Sequence, residues 1–130
     1  MENDECRMKN EEDNPRDLRE RTEEYALRII RMYASLSKTD RVAQVLGGQV
    51  LRSGTSVGAN YREACRARSN PEFVSKMGDC LKELDESDYW LVLLVKSGTV
   101  SADRMDPLIA ETNELIAIFT TSIKTAKKSK

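Results

Sequence analysis

Apolar residues recur at three- and four-residue steps along almost the whole chain, in four runs divided by short polar breaks. Leu18, Tyr25, Ile29, Met32, Tyr33 and Leu36 trace one helical face, which predicts a first helix over about residues 16 to 36. A second run spans about 40 to 68. A third, about 71 to 97, carries Phe73, Met77, Leu81, Leu84, Leu91, Leu94 and Val95 as its core side. The fourth, about 104 to 127, buries Leu108, Leu115, Ile116, Phe119 and Ile123. The connections are too short for anything but antiparallel neighbours, so the pattern predicts an all-α, up-down-up-down four-helix bundle.

The breaks carry their own chemistry. Asp17 and Glu20 place negative charge in the first turn of the first helix, where the dipole favours it. Ser37-Lys38-Thr39-Asp40 interrupts the pattern and supplies the next N-cap. Ser69-Asn70-Pro71-Glu72 is a cap residue followed by a proline suited to the first turn and an acid. Gly98 ends the third helix, and lysines suit the negative pole at the end of the fourth. Gly47-Gly48 is the weak point of the second run, since glycine costs roughly 1 kcal/mol against alanine inside a helix. With Gly54, Gly58 and Ala59 it also offers a surface for close helix approach. Residues 1 to 15 are highly charged and poor in apolar groups, which predicts a disordered acidic tail ahead of a domain over 16 to 127.

Two lines of polar residues interrupt the packing pattern. On the second helix Arg52, Ser56, Asn60 and Glu63 stack on one side, flanked by Val50, Leu51, Val57, Ala59 and Ala64. On the third, Asp79, Glu83, Glu86 and Trp90 form a matching line. Antiparallel neighbours would bring the lines together, with Arg52 or Arg62 on Glu83 or Glu86 and with Ser56 and Asn60 as hydrogen-bond bridges. Such a seam either faces solvent, as charged helix faces commonly do, or lines a subunit interface where polar groups fix register and partner.

The segments from Leu51 to Ala64 (LRSGTSVGANYREA) and from Leu81 to Leu94 (LKELDESDYWLVLL) closely resemble the bacterial intervening-sequence proteins. These are named for reading frames within insertions in large-subunit ribosomal RNA genes. Arg52, Ser56, Asn60 and Glu63 match the family's Arg-x-x-x-Ser-x-x-x-Asn-x-x-Glu signature, and Glu83, Glu86 and Trp90 match its third-helix pattern. Gly58 stands where the family often has proline. The resemblance covers about residues 18 to 124 and implies a four-helix bundle assembling as a ring, typically a homopentamer, with no enzymatic activity. It extends to the accessory protein of diversity-generating retroelements, which binds nucleic acid and a reverse transcriptase. RNA or DNA, or a reverse transcriptase or other protein, are the partners this implies.

Composition narrows the chemistry. A third of the 130 residues are charged, aromatics are 5%, and there are three prolines, a mix suited to helices with charged outer faces. The chain holds no histidine, which removes Ser-His-Asp and Cys-His nucleophiles, the usual zinc and haem sites and the commonest general base. No catalytic, cofactor or metal site is expected. A carboxylate cluster of Glu63, Glu83 and Glu86 is more simply neutralised by arginine than used to hold metal. Cys6, Cys65 and Cys80 make no disulfide framework, and Cys65 and Cys80 read as reduced, buried hydrophobes. Without a signal peptide or a membrane-length apolar run, the expected location is the cytoplasm, with no membrane partner.

Net charge is only -1, but the first 15 residues hold about -4 of it, leaving the remainder mildly basic. Arg28, Arg31, Arg41, Arg66, Arg68, Lys124, Lys127 and Lys128 are the candidates for phosphate contact, as a basic rim that a ring would multiply. Lys130 extends the terminal lysine cluster. Against this stand a pure protein scaffold and a helix-turn-helix starting at Val42-Ala43-Gln44-Val45-Leu46-Gly47. The latter needs buried aliphatics where the chain has Ser53 and Ser56, next to Arg52.

Overall fold

The computed structural model describes residues 17–128 as four helices. They are α1 (Leu18–Ala34), α2 (Arg41–Cys65), α3 (Asn70–Lys96) and α4 (Ala102–Lys128). Each starts and stops within about three residues of the position its periodicity predicts. The acidic tail, residues 1 to 15, lies outside the described residues, as does Lys130.

The termini follow from local chemistry. Asp17 caps α1 by accepting from Arg19 N at 2.8 Å, and Asp40 caps α2 by accepting from Ala43 N at 3.1 Å. Ser69 accepts from Glu72 N at 3.2 Å to open α3, and the Glu72 carboxylate reaches back to Arg68 N at 3.3 Å. Gly98, with φ of 80°, turns the chain out of α3 while Thr99 N and Val100 N both return to Leu94 O at 3.1 Å. Pro107 falls inside α4, near its start, where its ring removes one intrahelical hydrogen bond at an exposed position.

Helices α1 and α2, α2 and α3, and α3 and α4 pack side by side in the up-down-up-down order, α2 against α3 most extensively. The backbones of α1 and α4 approach each other little, so long side chains bridge that side of the bundle. The core runs through Tyr25, Ile29, Val57, Tyr61, Phe73, Leu84, Leu91, Leu115 and Phe119, all essentially inaccessible to solvent. Tyr61 meets Phe119 edge to face at 5.8 Å.

The glycines of α2 permit close contact with α1. A Cβ on Gly54 would stand 2.8 Å from Ile29 Cγ1, and one on Gly47 would stand 2.5 Å from Leu36 Cδ1. Neither Gly47 nor Gly48 breaks the helix: α2 is continuous through them. The helix-turn-helix reading therefore fails, because the turn it needs is absent. Ser53 does not unpack the helices either; it is fully buried between α2 and α3. Cys80 is a buried free thiol whose pKa is pushed well up by desolvation. Cys65 is equally buried but disulfide-bonded, which departs from the expectation of a reduced side chain. No helix among the described residues is long and apolar enough to cross a membrane.

Candidate functional site

The two polar lines do meet, along the outside of the α2–α3 pair. Arg52 on α2 reaches both Glu83, at 3.5 Å, and Glu86 on α3. One guanidinium thereby joins two carboxylates that lie three residues apart on one face. The pairing is solvated: the Arg52 side chain is 53% exposed and Glu86 41%, while Glu83 is 22%.

The remaining members behave differently from one another. Ser56 does not bridge the helices; its hydroxyl donates to Arg52 O in its own helix at 2.7 Å. Glu63 takes Lys76 on α3 at 2.9 Å, and this pairing raises the lysine's pKa. Arg62 is exposed and joins neither Glu83 nor Glu86. Asn60 is half-buried and its amide makes no hydrogen bond among the described residues. Trp90 packs on the core beside Tyr89, ring centroids 5.2 Å apart, with its Nε1 hydrogen shielded from solvent and without an acceptor among the described residues. Each carboxylate of the supposed metal cluster thus faces a cation. Among the described residues no group of three potential ligands could hold a metal ion.

The seam also has an apolar extension. Val42 and Val45 continue the line of Arg52 and Ser56 towards the start of α2, by steps of three and four through Gln49, and are 50% and 53% exposed. On α1, Leu27 and Ile30 are also exposed, at 41% and 43%.

The basic candidates divide between two ends of the bundle. Arg28, Arg31 and Arg41 lie towards the α1–α2 connection, with Arg104 at the start of α4 joining them. Arg66 and Arg68 flank the α2–α3 connection at the other end. There Asn70 Nδ2 donates to Ala126 O at 2.8 Å, which brings in the last turns of α4 with Lys124, Lys127 and Lys128. A single continuous rim on one chain is not what the helices produce.

Sequence reasoning missed the polar contacts inside the bundle. Ser87 donates to Glu83 O at 2.8 Å, so in its 2.7 Å contact with Ser53 the latter is the donor. Thr112 likewise donates to Leu108 O, and the Tyr25 hydroxyl donates to Thr112 at 2.7 Å. Burial pushes the Tyr25 pKa up to about 12, while its hydrogen bond with Thr112 and the neighbouring Ser87 hydroxyl pull the other way. One hydroxyl from each helix therefore contributes to a single buried layer. On the α1–α4 side, Arg21 holds Glu111 at 2.8 Å and Glu114 at 2.8 Å, and the hydrogen bond to Glu111 leads in raising its pKa. The signal was available in part. Ser53, Ser87 and Thr112 each stand at a core position of the repeat, as Ser87 does between Leu84 and Leu91.

A four-helix bundle with a charge-paired seam along α2 and α3 defines the class: an all-α helical bundle protein. The chain matches the 23S rRNA-intervening sequence protein family over residues 16–121, and it belongs to that family. Among solved structures it is similar to a protein of unknown function from the S23 ribosomal protein family of Bacteroides thetaiotaomicron VPI-5482. The two are 34% identical with a TM-score of 0.76, over 82% of this chain and 97% of that one. No curated protein matches it.

Proposed function

We propose that this chain is a non-enzymatic, cytoplasmic subunit of a ring, five copies in the family's usual form, whose seam along α2 and α3 is a contact between subunits. The observation that carries this is the make-up of that outer edge. Exposed Val42 and Val45 continue into a charge ladder on which Arg52 is already oriented by Glu83 and Glu86. An apolar patch edged by pre-oriented charge is the usual composition of a specific protein contact. Asn60, half-buried with an unused amide, supplies a further group for a neighbouring copy.

In this reading the ring presents its repeated basic ends to RNA or DNA. Arg66 and Arg68 stand with the terminal lysines at one end, and Arg28, Arg31 and Arg41 at the other. Mild charge on each subunit adds up around a ring. A protein scaffold that binds a reverse transcriptase or other protein without touching nucleic acid is the second reading, favoured by the exposed Leu27 and Ile30 on α1.

The test is light scattering on the full chain combined with RNA and DNA shift assays across a salt series. A mass several times 14.7 kDa, with affinity falling steeply as salt rises, supports the reading. Val45→Asp should lower the mass by placing charge in the contact. Assembly without nucleic-acid binding favours the scaffold, and a monomer overturns the ring.

A further inference from the structure

The side of the bundle where α1 and α4 stand apart opens into a cleft of about 370 Å³. Arg28, Arg31 and Arg104 line it together with Met32, Met105 and Leu108. No acidic side chain is part of that lining. The three guanidinium groups differ in how they are held. Arg31 pairs with Glu24 at 3.0 Å, an exposed contact that leaves donors over. Arg104 Nη2 donates to Ser35 Oγ at 2.9 Å, a neutral partner that orients the group without cancelling its charge. Arg28 makes no ion pair or side-chain hydrogen bond among the described residues.

With Arg31 paired to Glu24, Arg28 and Arg104 leave two guanidinium charges on one concave wall without a carboxylate among the described residues, and guanidinium groups match the oxygens of a phosphate in geometry as well as charge. Met32 and the exposed Pro107 give the same cleft an apolar edge, backed by the buried Met105 and Leu108, and its volume falls within the range of small-ligand sites, roughly 300–1,000 Å³. We propose that this cleft binds a phosphomonoester carried on a flat or apolar body of mononucleotide size. Arg28 and Arg104 hold the phosphate while Met32 and Pro107 meet the attached group, with Met105 packed directly behind them. This deepens the nucleic-acid part of the function proposed above by giving Arg28 and Arg31 a defined site and adding Arg104, and it does not depend on the ring. A free nucleotide and the 5′ end of an RNA strand present the same chemistry, and the probes separate them.

The experiment follows the methionine methyl resonances of the full chain during titration with AMP, with adenosine, and with one short RNA carrying either a 5′-phosphate or a 5′-hydroxyl. AMP should move the signals of Met32 and Met105, and adenosine should not. Arg28→Gln and Arg104→Gln should each weaken AMP by about tenfold, the loss expected for one charge-assisted hydrogen bond, with helical circular dichroism unchanged. Tighter binding of the 5′-phosphorylated RNA than of both AMP and the 5′-hydroxyl strand assigns the site to strand ends; AMP binding at least as tightly assigns it to free nucleotides. Equal response to AMP and adenosine, no movement at Met32 and Met105, or wild-type affinity in both glutamine variants would overturn the proposal. Salt-dependent binding of the 5′-hydroxyl RNA separately reports general nucleic-acid contact, so the two failures are distinguishable.

Discussion

The outer ladder of α2 and α3 and the hydroxyl layer inside the bundle use polar groups in opposite ways. In the ladder, Arg52 and Glu86 are about half exposed and their attraction is weakened by water. Exposed ion pairs of this kind contribute about 0–1 kcal/mol to folding. In the layer, Tyr25, Ser53, Ser87 and Thr112 are sealed from solvent, and each hydroxyl has a partner within 2.8 Å. A buried polar group left unpaired costs about 1–3 kcal/mol, so these hydroxyls constrain how the four helices align. The layer therefore bears on the stability of one chain. The ladder gains importance when something excludes water from it.

The contrast can be broken most forcefully from the inside. Tyr25 has its pKa raised from 10.0 to about 12, so the fold favours the neutral phenol. The corresponding stability is fully present below about pH 10 and lost as pH rises through about 12. The loss is on the order of 2–3 kcal/mol for a shift of this size. Urea unfolding at pH 9 and pH 12 should show it in the wild type, and Tyr25→Phe should remove that part of the alkaline loss. Next comes Gly54→Ala, which presses a methyl against the branched and fully buried Ile29. It should cost about 1–3 kcal/mol in thermal or urea unfolding. Ser53→Ala should cost about 1 kcal/mol, because Ser87 keeps its own bond to Glu83 O. Smallest is Arg52→Ala under conditions where the chain is monomeric, at less than about 1 kcal/mol. A cost for Arg52→Ala larger than that for Ser53→Ala would reverse the comparison.

Much of this architecture was legible because helix periodicity is a local signal. The faces running from Phe73 to Leu94 and from Leu108 to Phe119 each point inward as their spacing predicts. The caps at Asp40 and Ser69 were equally visible, since a capping side chain acts on the backbone within three residues of itself. The meeting of Arg52 with Glu83 and Glu86 followed from antiparallel neighbours joined by a short turn. What escaped depends on distance along the chain. Tyr25 and Thr112, and Arg21 and Glu111, lie about ninety residues apart, and no pattern within one helix links them. Ser56 shows a second cause: a serine in a helix can satisfy itself on the carbonyl four residues back, so its position in a polar stripe does not make it a bridge. The cleft between α1 and α4 was invisible for a third reason. It depends on how far two helices stand apart, which their own sequences do not encode.

The interface role of the ladder is tested most directly by the solution mass of Arg52→Glu beside the wild type, measured by light scattering at matched concentration. The reversed charge would face Glu83 and Glu86 while leaving the buried layer untouched. The wild-type mass should be several times 14.7 kDa, and the variant should fall towards a single chain with its helical signal retained. A wild type that is already monomeric, or a variant that assembles as the wild type does, would contradict it.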